Sequence, residues 1–329
     1  MASRRDLLLL LAAGALPARL LAQAGARRRP LRIAMLSDGT LEQHKRYVDA
    51  FRLGLREHGY EEGRDYAIDF HWKGDSIKPL RWLGWEAAAA EPDVIVATCE
   101  ATAYVAQRAS RSIPIVMAAS SDPVAHRLVD SLARPGGNIT GVSFNEIEVS
   151  LKRLEMLKEV VPGLRRAALL TLMDDPMSDF ERDALQKLGS RLGVELVAYD
   201  VRGVRDFESA FARMPQEKIQ GVLDFSSLIV TFPYRKEFAV LALKARLPVA
   251  YHLGEMVEAG GLMSYGPVVT EAFRRAASYV DRIARGSRPE TLPIEQPSRF
   301  ELVLNLGTAR ALGITLPQSL LLRADRVVE

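Results

Sequence analysis

The sequence predicts an α/β protein of two similar lobes with parallel sheets and a cleft between them, and three observations carry that expectation. From Leu31 onward, short apolar runs alternate with stretches of helical period, the pattern of βαβ units. The rhythm starts afresh after Asn145, so the chain reads as two tandem halves alike in architecture rather than in sequence. The apolar runs open into small polar loops, and ligands of open α/β sheets bind beyond the carboxyl ends of the strands. A chain of 329 residues with 48% hydrophobic content has apolar surface enough for two cores of ordinary size.

In the first half, Leu31 to Leu36 is an apolar strand that ends in Ser37-Asp38-Gly39-Thr40. Val48, Phe51 and Leu55 mark one face of a helix that Gly59 stops. Tyr66 to Trp72 alternates and reads as an edge strand with one wet face. The alanine-rich stretch Trp82 to Ala90 is helical, and Val94 to Ala97 is a third strand opening into Thr98-Cys99-Glu100-Ala101-Thr102. Ile113 to Ala118 reads as a strand buried on both faces, followed by Ser120-Ser121-Asp122-Pro123. Asp122 is suited to cap a short helix there and Pro123 to occupy its first position. Arg134-Pro135-Gly136-Gly137-Asn138 ends that helix, and Ile139 to Phe144 is a fifth strand reaching Asn145.

In the second half, Leu151, Leu154 and Leu157 share a helix face closed by Pro162-Gly163. Ala167 to Leu172 is a strand with Met173-Asp174-Asp175-Pro176 at its end, and a helix to about Leu192 leads to strand Val194 to Tyr199. Phe207 and Phe211 mark the next helix, and Val222-Leu223-Asp224 runs into Phe225-Ser226-Ser227. Phe238 to Ala245 is helical, and Pro248 to Tyr251 is a strand with His252 just beyond it. Gly260 to Gly266 is a glycine-bounded strand, and a helix spans Glu271 to about Arg285. Then come a proline-punctuated connector from Arg288 to Pro297, an apolar strand Glu301 to Asn305 and a helical tail.

The blocks IPIVMAASSDPV, SLARPGGNITGVSFN, GGLMSYG and FELVLNLGTARALGITLPQSLLLRAD resemble those of the substrate-binding proteins of ABC importers, in the branch that includes tryptophan and tyrosine binders. The resemblance covers nearly the whole chain after its leader and keeps the block order. It implies the type I periplasmic binding protein architecture, two Rossmann-like lobes with the chain crossing between them near Asn145, Tyr265 and Pro293. The lobes it implies are 31–144 with 266–292, and 145–265 with 293–329. It further implies a small-molecule ligand (an amino acid or related small organic solute), a permease and ATPase as partners at the inner membrane, a monomer, no cofactor and no catalysis. Cys99 and Glu100 stand where many members carry small residues. A carboxylate there disfavours an anionic ligand group and favours a cationic one.

Residues 1–24 read as a cleavable signal peptide: Arg4 and Arg5 form a basic start, Leu7 to Leu16 an apolar core too short to span a bilayer, and Ala22-Gln23-Ala24 a cleavage site. Ser3-Arg4-Arg5-Asp6-Leu7-Leu8 resembles a twin-arginine signal, so the expected location is the periplasm. A net charge of +3, with several arginines in or beside that leader, implies no nucleic-acid partner. The single cysteine, Cys99, excludes an intramolecular disulfide and a cysteine zinc cluster.

No phosphate-binding glycine loop opens a helix, Gly141-Val142-Ser143 lacks the second glycine of a nucleophile elbow, and the five histidines are scattered without metal-ligand spacing. What the strand ends do carry is hydroxyls, with a few carboxylates and aromatics. Ser37, Thr98, Thr102 and Ser120 suit a carboxylate or other anionic group, and Ser121 joins them. Glu100, Asp122 and Asp224 suit an ammonium group, Asn145 sits at the lobe junction, and Tyr251 and Tyr265, with Phe144 and Phe225, supply apolar walls. The same Ser and Asp residues are also common helix caps, and the phenylalanines common core. Two other functions stay open at this point: an exported enzyme using the cleft, and a ligand-binding sensor subunit.

Overall fold

The computed structural model describes residues 29–74, 80–172, 176–202, 204–225, 231–232 and 234–329. The leader expected at residues 1–24, Met173-Asp174-Asp175 and Ser226-Ser227 lie outside them. The first lobe runs β1 (Leu31–Ser37), α1 (Leu41–Glu57), β2 (Tyr66–Trp72), α2 (Leu80–Ala89), β3 (Val94–Ala97), α3 (Glu100–Ala109), β4 (Ile115–Ser120) and β5 (Ile139–Ser143). Its strands form a parallel sheet in the order β2-β1-β3-β4-β5. Ile33 to Leu36, Val94 to Ala97 and Ile115 to Ala118 have no exposed surface, because helices cover both faces of the sheet. β2, the alternating strand, is the edge. Thr40 caps α1 through a reciprocal box, its hydroxyl accepting from Gln43 N at 3.3 Å while its own N–H donates to Gln43 Oε1 at 2.9 Å.

The second lobe repeats the plan with α4 (Glu146–Val160), β6 (Arg166–Leu172), α5 (Pro176–Arg191), β7 (Glu195–Val201), α6 (Val204–Arg213), β8 (Gly221–Asp224), α7 (Arg235–Lys244), β9 (Val249–Tyr251), α8 (Gly254–Glu258) and β10 (Met263–Pro267). The order β7-β6-β8-β9-β10 matches that of the first sheet, and β11 (Phe300–Asn305) and β12 (Arg326–Val328) extend it, with α10 (Leu306–Leu312) and α11 (Gln318–Arg323) between them.

Two crossings set the geometry of the junction. After β10 the chain enters the first lobe as α9 (Val269–Ala284), whose Phe273, Ala276, Ala277 and Val280 are buried. α9 lies close against α1 at Gly54, where a Cβ would come 2.5 Å from Arg274 O. The returning segment pairs Glu295 with Val142, and Glu295 O accepts from Ser143 N at 2.9 Å. The chain both leaves and re-enters the second lobe at the cleft end, so β11 runs antiparallel to β10. The sheets are otherwise parallel, as the sequence predicts, and this is the one antiparallel pair among the described strands. The lobe boundaries drawn at 265/266 and 292/293 fall inside β10 and ahead of the Val142–Glu295 bridge.

Three further differences from the sequence reading have local causes. The helix expected after Pro123 closes within one turn: Leu128 N donates to Pro123 O at 2.9 Å and Arg127 takes a left-handed φ of 57°, the geometry of a helix stop. The tail is two short helices followed by β12, which pairs with β11. The five-residue α8 carries no apolar period long enough to read.

Candidate functional site

The loop beyond β4 of the first lobe touches α5 of the second, and that loop is organised by Glu100. β4 and β5 shift register between Met117 and Ser120, which brings Ser120 opposite Ser143. Gly141 makes the shift possible, with φ 132° and a would-be Cβ only 2.1 Å from Met117 O. The loop that follows wraps around the Glu100 carboxylate. Oε2 accepts from Ser120 Oγ at 2.9 Å, Ser121 N at 2.6 Å and Asp122 N at 2.9 Å, and Oε1 meets His126 Nδ1. Backbone N–H groups that would begin a helix are thereby satisfied from another element, which is why one turn suffices there. Asp122 Oδ1 accepts from Ala125 N at 3.0 Å, so its capping role survives without the helix.

The remaining first-lobe residues differ in how much of their polar capacity is spent. Ser37 Oγ accepts from Gly39 N at 3.2 Å and lies 3.3 Å from a ring nitrogen of His44. Burial lowers the pKa of His44, against the opposing charge of Asp38. Thr102 Oγ1 accepts from Cys99 N at 3.1 Å and donates to Cys99 O at 2.8 Å, closing the start of its own helix. Cys99 donates to Asp38 Oδ2 at 3.0 Å, and burial raises its thiol pKa well above the ordinary range. That is a filler thiol, not an activated one. Thr98 Oγ1 is buried without a hydrogen-bond partner. Asn145 takes a left-handed conformation, φ 51°, at the start of α4, where the chain turns into the second lobe.

In the second lobe, Asp224 is fully buried at the end of β8, with Oδ2 3.4 Å from His252 Nδ1. Tyr251 and its register partner Ser264 bury hydroxyls without a hydrogen-bond partner. Burial pushes the Tyr251 pKa well up, and the Asp224 charge adds to it. Tyr265 stacks on Phe300 at 5.8 Å between centroids, and it joins Phe225 and Ile147 at the half-buried margin of one core cluster. Phe144 belongs to a different cluster, one that draws residues from both lobes.

The lobes touch on two sides. On one, Tyr47 of α1 donates to Glu255 Oε1 of α8 at 3.2 Å, and Arg46 pairs with the same carboxylate. A small recess open to solvent lies there between Arg46 and Val269, and His252, Glu255, Gly266 and Pro267. On the other, Ser121 donates to Glu181 of α5, and the His126 and Phe180 rings meet edge to face at 5.8 Å. Burial, then the nearby charges of Glu100 and Glu146, lift Glu181 to a pKa of about 8, against the Ser121 bond and His126. Arg153 of α4 is fully buried, bonded to Glu146 and Ser150, while its Nε and Nη1 lack partners.

Glu181, His126 and Arg153 were not among the residues singled out from the sequence. Glu181 and His126 act through partners distant in sequence, which no local pattern marks, whereas Arg153 is bonded within its own helix to Ser150 and Glu146.

Comparison with known proteins agrees with this fold. A curated relative, the tyrosine-binding protein of Clostridioides difficile, is 23% identical over 265 residues, which is 80% of this chain and 75% of the relative. Among solved structures, an ABC domain in complex with L-Trp from Streptococcus pneumonia superposes with a TM-score of 0.81 at 22% identity, covering 91% of this chain and all of the other. A conserved domain protein from Vibrio cholerae gives a TM-score of 0.80 at 26% identity, with coverage of 91% and 100%. The family model described as ABC transporter substrate binding protein matches residues 36–328, and the chain belongs to that family.

Proposed function

We propose that this protein is the exported solute-binding subunit of an ABC importer, which captures an amino acid or related small organic solute between its lobes and delivers it to a permease and ATPase at the inner membrane. The observation that carries this reading is the strand order repeated in two lobes joined by crossing segments, since ligands of such sheets bind beyond the carboxyl ends of the strands. Its relatives support the ligand class: one is named for tyrosine, and another was solved with L-Trp. The protein works as a monomer in the periplasm and performs no chemistry on the solute.

The residues we assign to the solute are Ser37, Thr98, Glu100, Thr102, Ser120, Asp122 and Asn145 from the first lobe and junction, with Asp224, Tyr251 and Tyr265 from the second. They divide by what they have left to offer. Thr98 and Tyr251 hold unspent hydroxyls. Glu100 and Thr102 are saturated by their own lobe, so they shape the loops that meet the solute. Calorimetric titration with L-tyrosine, L-tryptophan and the cationic amino acids tests the assignment. Saturable binding with a reduced radius of gyration in small-angle scattering supports it, and no heat and no compaction with any of them would refute it.

A further inference from the structure

We propose that Glu181 is a proton-operated latch on the cleft: neutral, it holds the lobes together through Ser121, and ionised, it releases them. This rests on the reading above, in which the lobes open and close around a solute. The geometry is a contact between the lobes, which their separation would break. Glu181 sits on α5 of the second lobe, and it is 6% exposed because the first-lobe loop 120–126 lies over it. The Ser121 hydroxyl bonded to Glu181 Oε1 and the His126 ring against Phe180 are contacts between lobes. Ser121 and His126 are themselves held by Glu100, so the loop is a fixed jaw and not a passing side-chain contact.

The charges around Glu181 decide the sign. The described groups facing it are Glu100 of α3 and His126 of the loop from the first lobe, and Glu146 of α4, which is paired with Arg153. Arg182, next on its own helix, turns to Asp179 and to Asp200 of β7. Two nearby carboxylates and the loss of water oppose a negative charge at Glu181, and Ser121 and His126 offset them only in part. Opening returns the carboxyl to water and to its ordinary range. The closed form therefore binds the extra proton: its advantage is complete below the ordinary carboxyl pKa of about 4.5, and it is lost as pH rises through about 8. Across that window the closure constant falls about tenfold per pH unit for this one group.

The test is small-angle scattering of the purified, solute-free protein from pH 5.5 to 8.5, with circular dichroism to show that it stays folded. Wild type is expected to expand as pH rises, while Glu181→Gln, whose amide keeps the acceptor for Ser121, stays at the low-pH radius throughout. Should Glu181→Gln not fold, Ser121→Ala removes the other half of the contact and is expected to be more open than wild type at pH 5.5. A wild-type radius that does not change with pH overturns the latch. An equal pH response in wild type and Glu181→Gln assigns the effect to the Glu100–His126 pair and overturns it as well. Because no solute is added, failure of the latch is distinct from failure of solute binding, which the titration with amino acids reads separately.

Discussion

Truncating Glu100 to alanine removes the one acceptor on which the loop 120–126 is built. Three donors lose Oε2, namely Ser120 Oγ, Ser121 N and Asp122 N, and His126 loses Oε1. Ser120 is 2% exposed and recovers no water, whereas Ser121 and Asp122 are half-buried and recover some. A stranded buried donor costs about 1–3 kcal/mol, and three donors lose this acceptor together. Their costs overlap at one carboxylate, so the expected loss is about 3–5 kcal/mol in urea unfolding followed by tryptophan fluorescence. Glu100→Gln keeps an acceptor oxygen for the backbone donors and is expected to lose about 1–3 kcal/mol. A Glu100→Ala variant within 1 kcal/mol of wild type would show that the loop is held by its own turns, and it would remove the fixed jaw on which the latch depends.

Tyr251→Phe deletes a buried hydroxyl that has no partner, so the melting temperature should hold or rise, by up to about 1 kcal/mol of stability; if that hydroxyl meets the solute, affinity falls while stability does not. Asp122→Ala should lower stability by about 0.5–2 kcal/mol through loss of the bond from Ala125 N, with affinity for L-tyrosine or L-tryptophan nearly intact unless Asp122 also pairs with the solute ammonium. Asp224→Ala should cost roughly 2–5 kcal/mol of binding if its carboxylate takes that ammonium. Calorimetry and thermal melts on the same samples separate these outcomes, and native affinity in both aspartate variants would eliminate an ammonium clamp built on them.

Much of this architecture could be read from the residues because the physics that makes it is local. Runs such as Ile33 to Leu36 and Ile115 to Ala118 are apolar at every position because both faces are covered, and the alternation of Tyr66 to Trp72 marks an edge. Direction is not local: nothing in Glu301 to Asn305 says that the strand runs antiparallel, since that follows from where the chain re-enters the lobe. The turn after Pro123 reads as a helix in the sequence because Asp122-Pro123 is a good helix start. The competing partner, Glu100, is twenty-two residues away from Asp122 in sequence and outside any window of local pattern. The polar strand ends were legible from the rule that α/β ligands bind there. Glu181 was not, because it shares its helix with exposed charged residues such as Asp179, Asp183 and Lys187, and only the opposing lobe makes it different.

Native mass spectrometry of the protein purified without denaturation from cells grown in rich medium addresses the central claim most directly. The account predicts a population carrying one small organic molecule, released on unfolding and identifiable as an amino acid or close relative, whose re-addition raises the melting temperature. Protein that carries nothing, and whose melting temperature none of the amino acids shifts, would contradict it.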